Sequence, residues 1–288
     1  MIIRKSTDLR ANLFVIGVNK AGTTWLHGLL NDHPDIFMSK TKELDYFGKE
    51  YPKNLEKYHQ HFETNRSVRY YGESSTSYFC HPDVAAQIQE YNPEAKIIVM
   101  LRDPVDRLLS HFFFSKQLGE ISEKVTLEAI LNDKGHSFVR DSQYEVTIPK
   151  FQEHFGENLF VNRLEIALSN PDKFWTEIQQ FLCINEVSLP EGGTDSKNVT
   201  GGKGFRNIYR WTVLPIKEKK PDLYRALLDS SFMKFSRKVL ISLFGKAEKE
   251  SFPSGMKERL AQEFKETYRY LESLGLSWQK EMKMESSS

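Results

Sequence analysis

Leu13 to Ile16 form a short apolar run that ends at Gly17, and after a turn Trp25, Leu26, Leu29 and Leu30 recur at helical spacing. A continuous apolar run bounded by glycine reads as a buried strand, and the recurrence after it reads as one face of a helix. The pattern repeats at Ala95–Leu101, where Pro104 follows at a position that the first turn of a helix tolerates. Leu108, Leu109, Phe112 and Phe113 supply the apolar face of that helix. A third strand is predicted over Leu159–Asn162, followed by a helix over Pro171–Leu182. Strands that alternate with helices imply an α/β three-layer sandwich around a central parallel sheet, with the active site at the carboxyl ends of the strands. The C-terminal third reads as helices over 221–229, 232–244 and 255–274, and Leu240, Leu243 and Phe244 read as core.

No repeat, proline-rich linker or low-complexity tract divides the chain, so one domain over residues 1–288 is expected. Residues 1–12 would be a lead-in and about 208–288 a helical part of the same domain. Forty Lys and Arg against thirty-nine Asp and Glu leave no net field for a nucleic acid or an acidic membrane face, so any basic site must be local. Cys80 and Cys183 have neither disulfide-scaffold nor metal-site spacing, and Met1–Asn12 is charged where a secretory signal is apolar. These features point to a cytoplasmic protein. The sequence does not fix the oligomeric state.

Two segments carry candidate chemistry. In Gly17-Val18-Asn19-Lys20-Ala21-Gly22-Thr23-Thr24-Trp25, a glycine-containing loop joins a buried strand to a helix. Such a loop presents backbone N–H groups and the positive end of the helix dipole to an anion. Lys20, Thr23 and Thr24 would add to that cradle, although a plain strand-to-helix turn has the same composition. The spacing is not that of a Walker A loop, because Lys20 precedes Gly22 instead of following it. In Leu101-Arg102-Asp103-Pro104-Val105-Asp106-Arg107, Arg102 immediately follows a strand and Ser110 lies further along the helix. A guanidinium fork and a hydroxyl so placed suit one phosphate. Arg102 could equally pair with Asp103 or Asp106, and Arg107 is the better candidate for that structural role.

Lys20-Ala21-Gly22-Thr23-Thr24-Trp25 together with Arg102-Asp103-Pro104 and Ser110 resembles the two nucleotide-binding segments of sulfotransferases that use 3′-phosphoadenosine-5′-phosphosulfate (PAPS). The likeness covers roughly residues 12–210, through Phe151–Gly156, Glu165 and Phe181-Leu182. It implies a P-loop-like phosphosulfate-binding loop at Lys20, Ala21, Gly22, Thr23, Thr24 and Trp25, with Arg102 and Ser110 on the 3′-phosphate. Gly201-Gly202-Lys203-Gly204-Phe205-Arg206 resembles the family's loop over the nucleotide, which implies contacts from Lys203, Gly204, Phe205 and Arg206. The cosubstrate would be PAPS, the product adenosine 3′,5′-bisphosphate (PAP), and the chemistry requires no metal.

Lys42-Glu43-Leu44-Asp45-Tyr46-Phe47 is similar to the segment that supplies a glutamate base in carbohydrate sulfotransferases. The resemblance implies Glu43 as base, with Lys42 beside it and Lys20 on the transferring group; a solvated Lys42–Glu43 pair is the plainer reading of those two residues alone. Those enzymes often have histidine where this chain has Asp45, and their Glu-Lys-Thr-Pro-type segment appears here as Glu73-Ser74-Ser75-Thr76-Ser77-Tyr78. Asp45, Glu73, Ser74 and Tyr78 are therefore the acceptor-site candidates. Their negative charge favours a small neutral or cationic alcohol or amine, such as a natural-product intermediate, over a polyanionic glycan. His111 and His81 are fallback bases, and His33 reads as a structural turn. A glycan sulfotransferase is the alternative. A kinase would need a conventional lysine placement and a magnesium-binding acid, and a noncatalytic binding module would not need Glu43.

Overall fold

The computed structural model describes residues 10–122, 124–133, 135–190 and 255–276. Five strands form one sheet: β1 (Leu13–Gly17), β2 (Ile36–Met38), β3 (Tyr70–Ser74), β4 (Lys96–Leu101) and β5 (Leu159–Arg163). Their order is β2-β3-β1-β4-β5 and every neighbouring pair is parallel. Leu13 of β1 stands opposite Gly72 of β3 on one side and Lys96 of β4 on the other. The sequence pattern identifies β1, β4 and β5; it passes over β2 and β3. β2 is only three residues long, and β3 reads Tyr-Tyr-Gly-Glu-Ser, whose polar end is fully buried.

Helices α1 (Thr23–Asn31), α2 (Leu55–His59) and α3 (Val84–Tyr91) connect the first four strands. After β4 come α4 (Pro104–Leu118), α5 (Leu127–Asn132), α6 (Ser137–Arg140) and α7 (Tyr144–Phe155), and β5 leads into α8 (Leu164–Ser169) and α9 (Pro171–Leu182). The path from β1 to β2 runs one way along the sheet and the path from β3 to β4 runs the other. Right-handed crossovers then put α1 and α3 on opposite faces. Trp25 of α1 stacks on Phe174 of α9 at 5.6 Å, while α3 packs on α7. A helical layer therefore covers each face of the sheet. The reversal falls between β1 and β4, the place where open α/β sheets form a crevice at the strands' carboxyl ends.

Local chemistry explains the best-matched element. Asn170 Oδ1 accepts from the Lys173 N–H, Pro171 opens α9, and Cys183 closes it in a left-handed conformation. Phe174, Trp175, Ile178 and Leu182 then fall on one buried face. Beyond the main core, Val105, Leu108, Leu109 and Phe112 of α4 form a second cluster with α5, α6, Leu260 and Phe264. The predicted helix over 255–274 is two helices, α10 (Met256–Glu263) and α11 (Lys265–Ser273), broken at Phe264, which is buried in that cluster. The expected helices over 221–229 and 232–244, including Leu240, Leu243 and Phe244, lie outside the described residues. No helix among the described residues is long and apolar enough to cross a membrane.

Candidate active site

The loop from Val18 to Gly22 is anchored at its start by the Val18 N–H, which donates to the Met100 carbonyl of β4 at 2.8 Å. Gly22 caps α1 with φ at 79°, a left-handed conformation that suits glycine, and a β-carbon there would come within 2.7 Å of Leu164 Cδ1. No side chain caps α1 and its first turn has no acidic residue. The N–H groups of that turn are thus placed for an external anion. Ala21 and Thr23 are buried, Thr24 is exposed, and Trp25 is fixed by its stack on Phe174.

Cations surround this helix end. Lys20 Nζ lies 3.4 Å from the centre of the Phe114 ring of α4. Burial, and then repulsion from Arg102, push its pKa down to about 8, with Arg107 adding to the effect and Glu120 opposing it. Arg102 follows β4 and donates from Nη1 to the Lys20 carbonyl at 3.2 Å. Neither Lys20 nor Arg102 forms an ion pair among the described residues. Ser110 is half-buried on α4. Converging cations beside an uncapped helix fit a multiply charged anion such as a nucleotide phosphate. Lys203, Gly204, Phe205 and Arg206 lie outside the described residues.

Arg107 is structural, but not with Asp103 or Asp106. It is fully buried, donates to Ser142 Oγ and the Phe138 carbonyl, and lies 3.9 Å from Asp141. Asp103 instead caps α4 through the Asp106 N–H and accepts from the Tyr268 hydroxyl at 2.6 Å. His111 is held between Asn19 and Arg107, and burial followed by the Arg107 charge drives its pKa down to about 3, which makes it a poor base. His33 is fully buried and pairs through one ring nitrogen with the Asp35 N–H and through the other with the Asn185 carbonyl, a structural turn as expected. His81 accepts from the Asp83 N–H in a similar local turn.

The segment after β2 carries Lys42 and Glu43. Lys42 Nζ donates to Thr24 Oγ1 at 2.9 Å and lies 4.0 Å from Glu43 Oε1, with only 20% of its side chain exposed. It therefore bridges Thr24 and Glu43, whose side chain is 43% exposed, so only the lysine half of the pair is withdrawn from solvent. Thr76 donates both its N–H (2.7 Å) and its hydroxyl (3.0 Å) to Glu43 Oε2. Burial raises the Glu43 pKa, opposed by Lys42 and these bonds. A carboxylate held in place with a raised pKa suits a general base.

The acceptor candidates separate. Glu73, Ser74 and Tyr78 have no exposed surface, which removes them from direct contact with an acceptor in this conformation. Ser74 Oγ pairs with His27 Nδ1 at 2.8 Å. His27 has its pKa lowered to about 4, first by burial and then by Lys42. Asp45 accepts from Ser77 at 2.6 Å and from Lys49 at 2.7 Å, so its charge is met internally. The Asp45 part of the negative field that favours a cationic acceptor is thus compensated. Sequence reasoning missed Thr76 and His27 as parts of the site. Pairing between β2 and β3 brings the segment after β3 against Glu43, and no local pattern reports that. A cavity of about 440 Å³ adjoins the site, lined by Asn19 of the anion loop, Thr76, Ser77, His81, Arg140 and Asp141 among others.

A sequence model of the sulfotransferase domain matches residues 10–186. A membrane-associated sulfotransferase, kil1, of Dictyostelium discoideum is 39% identical over 120 residues, which is 41% of this chain and 26% of that protein. The mouse heparan sulfate glucosamine 3-O-sulfotransferase 3B1 is 27% identical over 183 residues, 60% of this chain and 46% of that protein. The chain thus spans less than half the length of these two curated relatives. The crystal structure of a sulfotransferase from Alicyclobacillus acidocaldarius is 23% identical, with a TM-score of 0.57 over 82% of this chain and 96% of that one, a likeness of fold. The matched stretch begins before β1 and ends beyond α9, so it encloses the whole sheet, the uncapped helix with its cations and the tethered glutamate, and on that agreement the chain belongs to the sulfotransferase domain family.

Proposed function

We propose that this protein transfers a sulfonyl group from PAPS to a hydroxyl or amine of an acceptor, releasing PAP. One juxtaposition carries the reading: Lys20 and Arg102, without an ion pair among the described residues, at the ends of β1 and β4, with Glu43 tied to the start of α1 through Lys42 and Thr24. Bound PAPS supplies the sulfonyl group and a 5′-phosphate leaving group. Thr23, Thr24 and the first N–H groups of α1 hold the 5′ end, Arg102 and Ser110 hold the 3′-phosphate, and Lys20 supplies positive charge where the leaving oxygens gain negative charge. Glu43 takes the acceptor proton, and its raised pKa brings it nearer the working pH.

A small acceptor is supported by the cavity of about 440 Å³ beside Thr76 and Asn19, a volume within the usual range for small-molecule sites. A second reading, a glycan acceptor, gains support from the internal pairing of Asp45 and the burial of Glu73, since little unpaired negative charge opposes an acidic chain. Mass spectrometry of a metabolite and oligosaccharide panel incubated with PAPS tests both readings. Gain of one sulfonate on a small alcohol or amine alone supports the first, and gain on oligosaccharides alone supports the second. No transfer to any member, together with equal melting shifts from PAP and AMP, overturns the sulfotransferase assignment.

A further inference from the structure

Glu73 lies at the end of β3 with no exposed surface, and no ion pair to it occurs among the described residues. Three hydroxyls donate to it: Tyr58 (2.5 Å) and Tyr78 (3.0 Å) to Oε1, and Ser75 (2.7 Å) to Oε2. Two of these hydroxyls also act as acceptors. Tyr78 Oη accepts the N–H groups of Tyr46 (2.9 Å) and Phe47 (3.3 Å), and Ser75 Oγ accepts the N–H of Asp45 (3.1 Å). One buried carboxylate thereby holds three successive backbone N–H groups through two hydroxyls.

Those three residues closely follow Glu43. Glu43 and Asp45 both have left-handed backbones, φ 56° and 52°, which residues with a β-carbon rarely adopt unless the surroundings enforce them. The Glu43 N–H is fixed on the Ser74 carbonyl at 2.8 Å, one residue beyond Glu73. The aromatic rings add rigidity, since Tyr46 stacks on Tyr58 at 4.2 Å.

We propose that Glu73 is a positioning residue for the reaction, acting through the Tyr78 and Ser75 hydroxyls to lock the strained Glu43–Phe47 segment with the Glu43 carboxylate in place. The inference rests on the assignment of Glu43 as base. The ionised form of Glu73 accepts all three hydroxyls, whereas the protonated form places one proton among donors that need acceptors. Burial pulls the other way and raises the Glu73 pKa to about 7, with the hydroxyl bonds opposing and Asp45 adding slightly. The titratable groups that act on it are Tyr58 of α2, Tyr78, Asp45 and Tyr91 of α3, with His59 against the Tyr91 hydroxyl. Acidification through neutral pH should therefore loosen the segment.

Amide hydrogen exchange of the intact chain, corrected for the intrinsic pH dependence of exchange, tests this. Protection of Asp45, Tyr46 and Phe47 should fall on acidification with a midpoint near pH 7. Glu73→Gln, which keeps one carbonyl acceptor and cannot titrate, should remove that midpoint. Tyr78→Phe should lower protection at Tyr46 and Phe47, and Ser75→Ala at Asp45. With an acceptor found by screening, Tyr78→Phe should lower kcat tenfold or more while the KM for PAPS and the PAP-induced melting shift stay within twofold. Unchanged exchange and kcat in Tyr78→Phe and Ser75→Ala, with Glu43→Gln inactive, would overturn the role of Glu73 alone. Full activity in Glu43→Gln would instead remove the base assignment, whatever the exchange shows. If Glu73→Gln fails to fold, the two hydroxyl variants still decide.

Discussion

Two segments bring charge to the same end of the sheet and treat it in opposite ways. After β1 and β4, Lys20 and Arg102 converge on an uncapped helix with no carboxylate paired to either among the described residues. At the ends of β2 and β3, Glu43, Asp45 and Glu73 each receive hydrogen bonds from neighbouring groups, and the backbone carrying Glu43 and Asp45 is strained. A group that is meant to bind leaves its charge for the ligand to meet. A group that is meant to remove a proton must stand still, and Thr76 fixes Glu43 through its N–H and its hydroxyl while Lys42 stands 4.0 Å away.

The largest effect should come from the acidic segment. Glu43→Gln is expected to lower kcat by about 10²–10⁴-fold while the PAP-induced melting shift is retained, because only proton removal is lost. Near-normal turnover on an acceptor identified by mass spectrometry would move the base elsewhere and dissolve the contrast.

On the cationic side, Lys20→Ala should lower kcat by about 10²–10³-fold, with a smaller effect on PAP binding. The ordinary value of 10.5 is depressed to about 8 in the folded chain, so between these values the unfolded chain binds more protons. Stability without ligand should therefore rise with pH through that window, while PAP affinity falls above pH 8 as Lys20 loses its charge, by no more than it falls in Lys20→Ala. Calorimetric titration of PAP across pH 7–10 measures this, and a flat profile would remove Lys20 from the phosphate site. Lys20→Arg should flatten the profile, since arginine stays charged.

Arg102→Ala sharpens the comparison further. PAP should bind at least about tenfold more tightly than AMP in the native chain, because charge-assisted hydrogen bonds to the 3′-phosphate are lost in AMP. In the variant the ratio should approach one. Equal affinities in the native chain would detach Arg102 from any 3′-phosphate. The smallest effect is expected at Tyr268→Phe, which removes the hydroxyl on Asp103 at the start of α4. A loss of about 1–2 kcal/mol, read as a fall in Tm of about 2–4 °C, should leave kcat unchanged.

By itself the sequence determined whatever depends on near neighbours. Leu13–Gly17 and Lys96–Leu101 are strands because each is a short apolar run ended by a glycine or by a polar turn. α9 follows from Asn170, Pro171 and its apolar stripe, and the anion loop from the order of glycine, lysine and threonine around Gly22. Tertiary structure alone decided what depends on pairing across the sheet. β3 was illegible because its polar residues are buried against Tyr58 and Tyr78, so its alternation of apolar and polar positions does not report solvent. For the same reason Glu73 and Tyr78 read as acceptor-site groups when they are interior supports, and Arg107 found its partners in 138–142 instead of in Asp103 or Asp106. A hydrogen bond between residues dozens of positions apart leaves no periodic trace in the sequence, and those bonds set the position and the charge of the groups that do the chemistry.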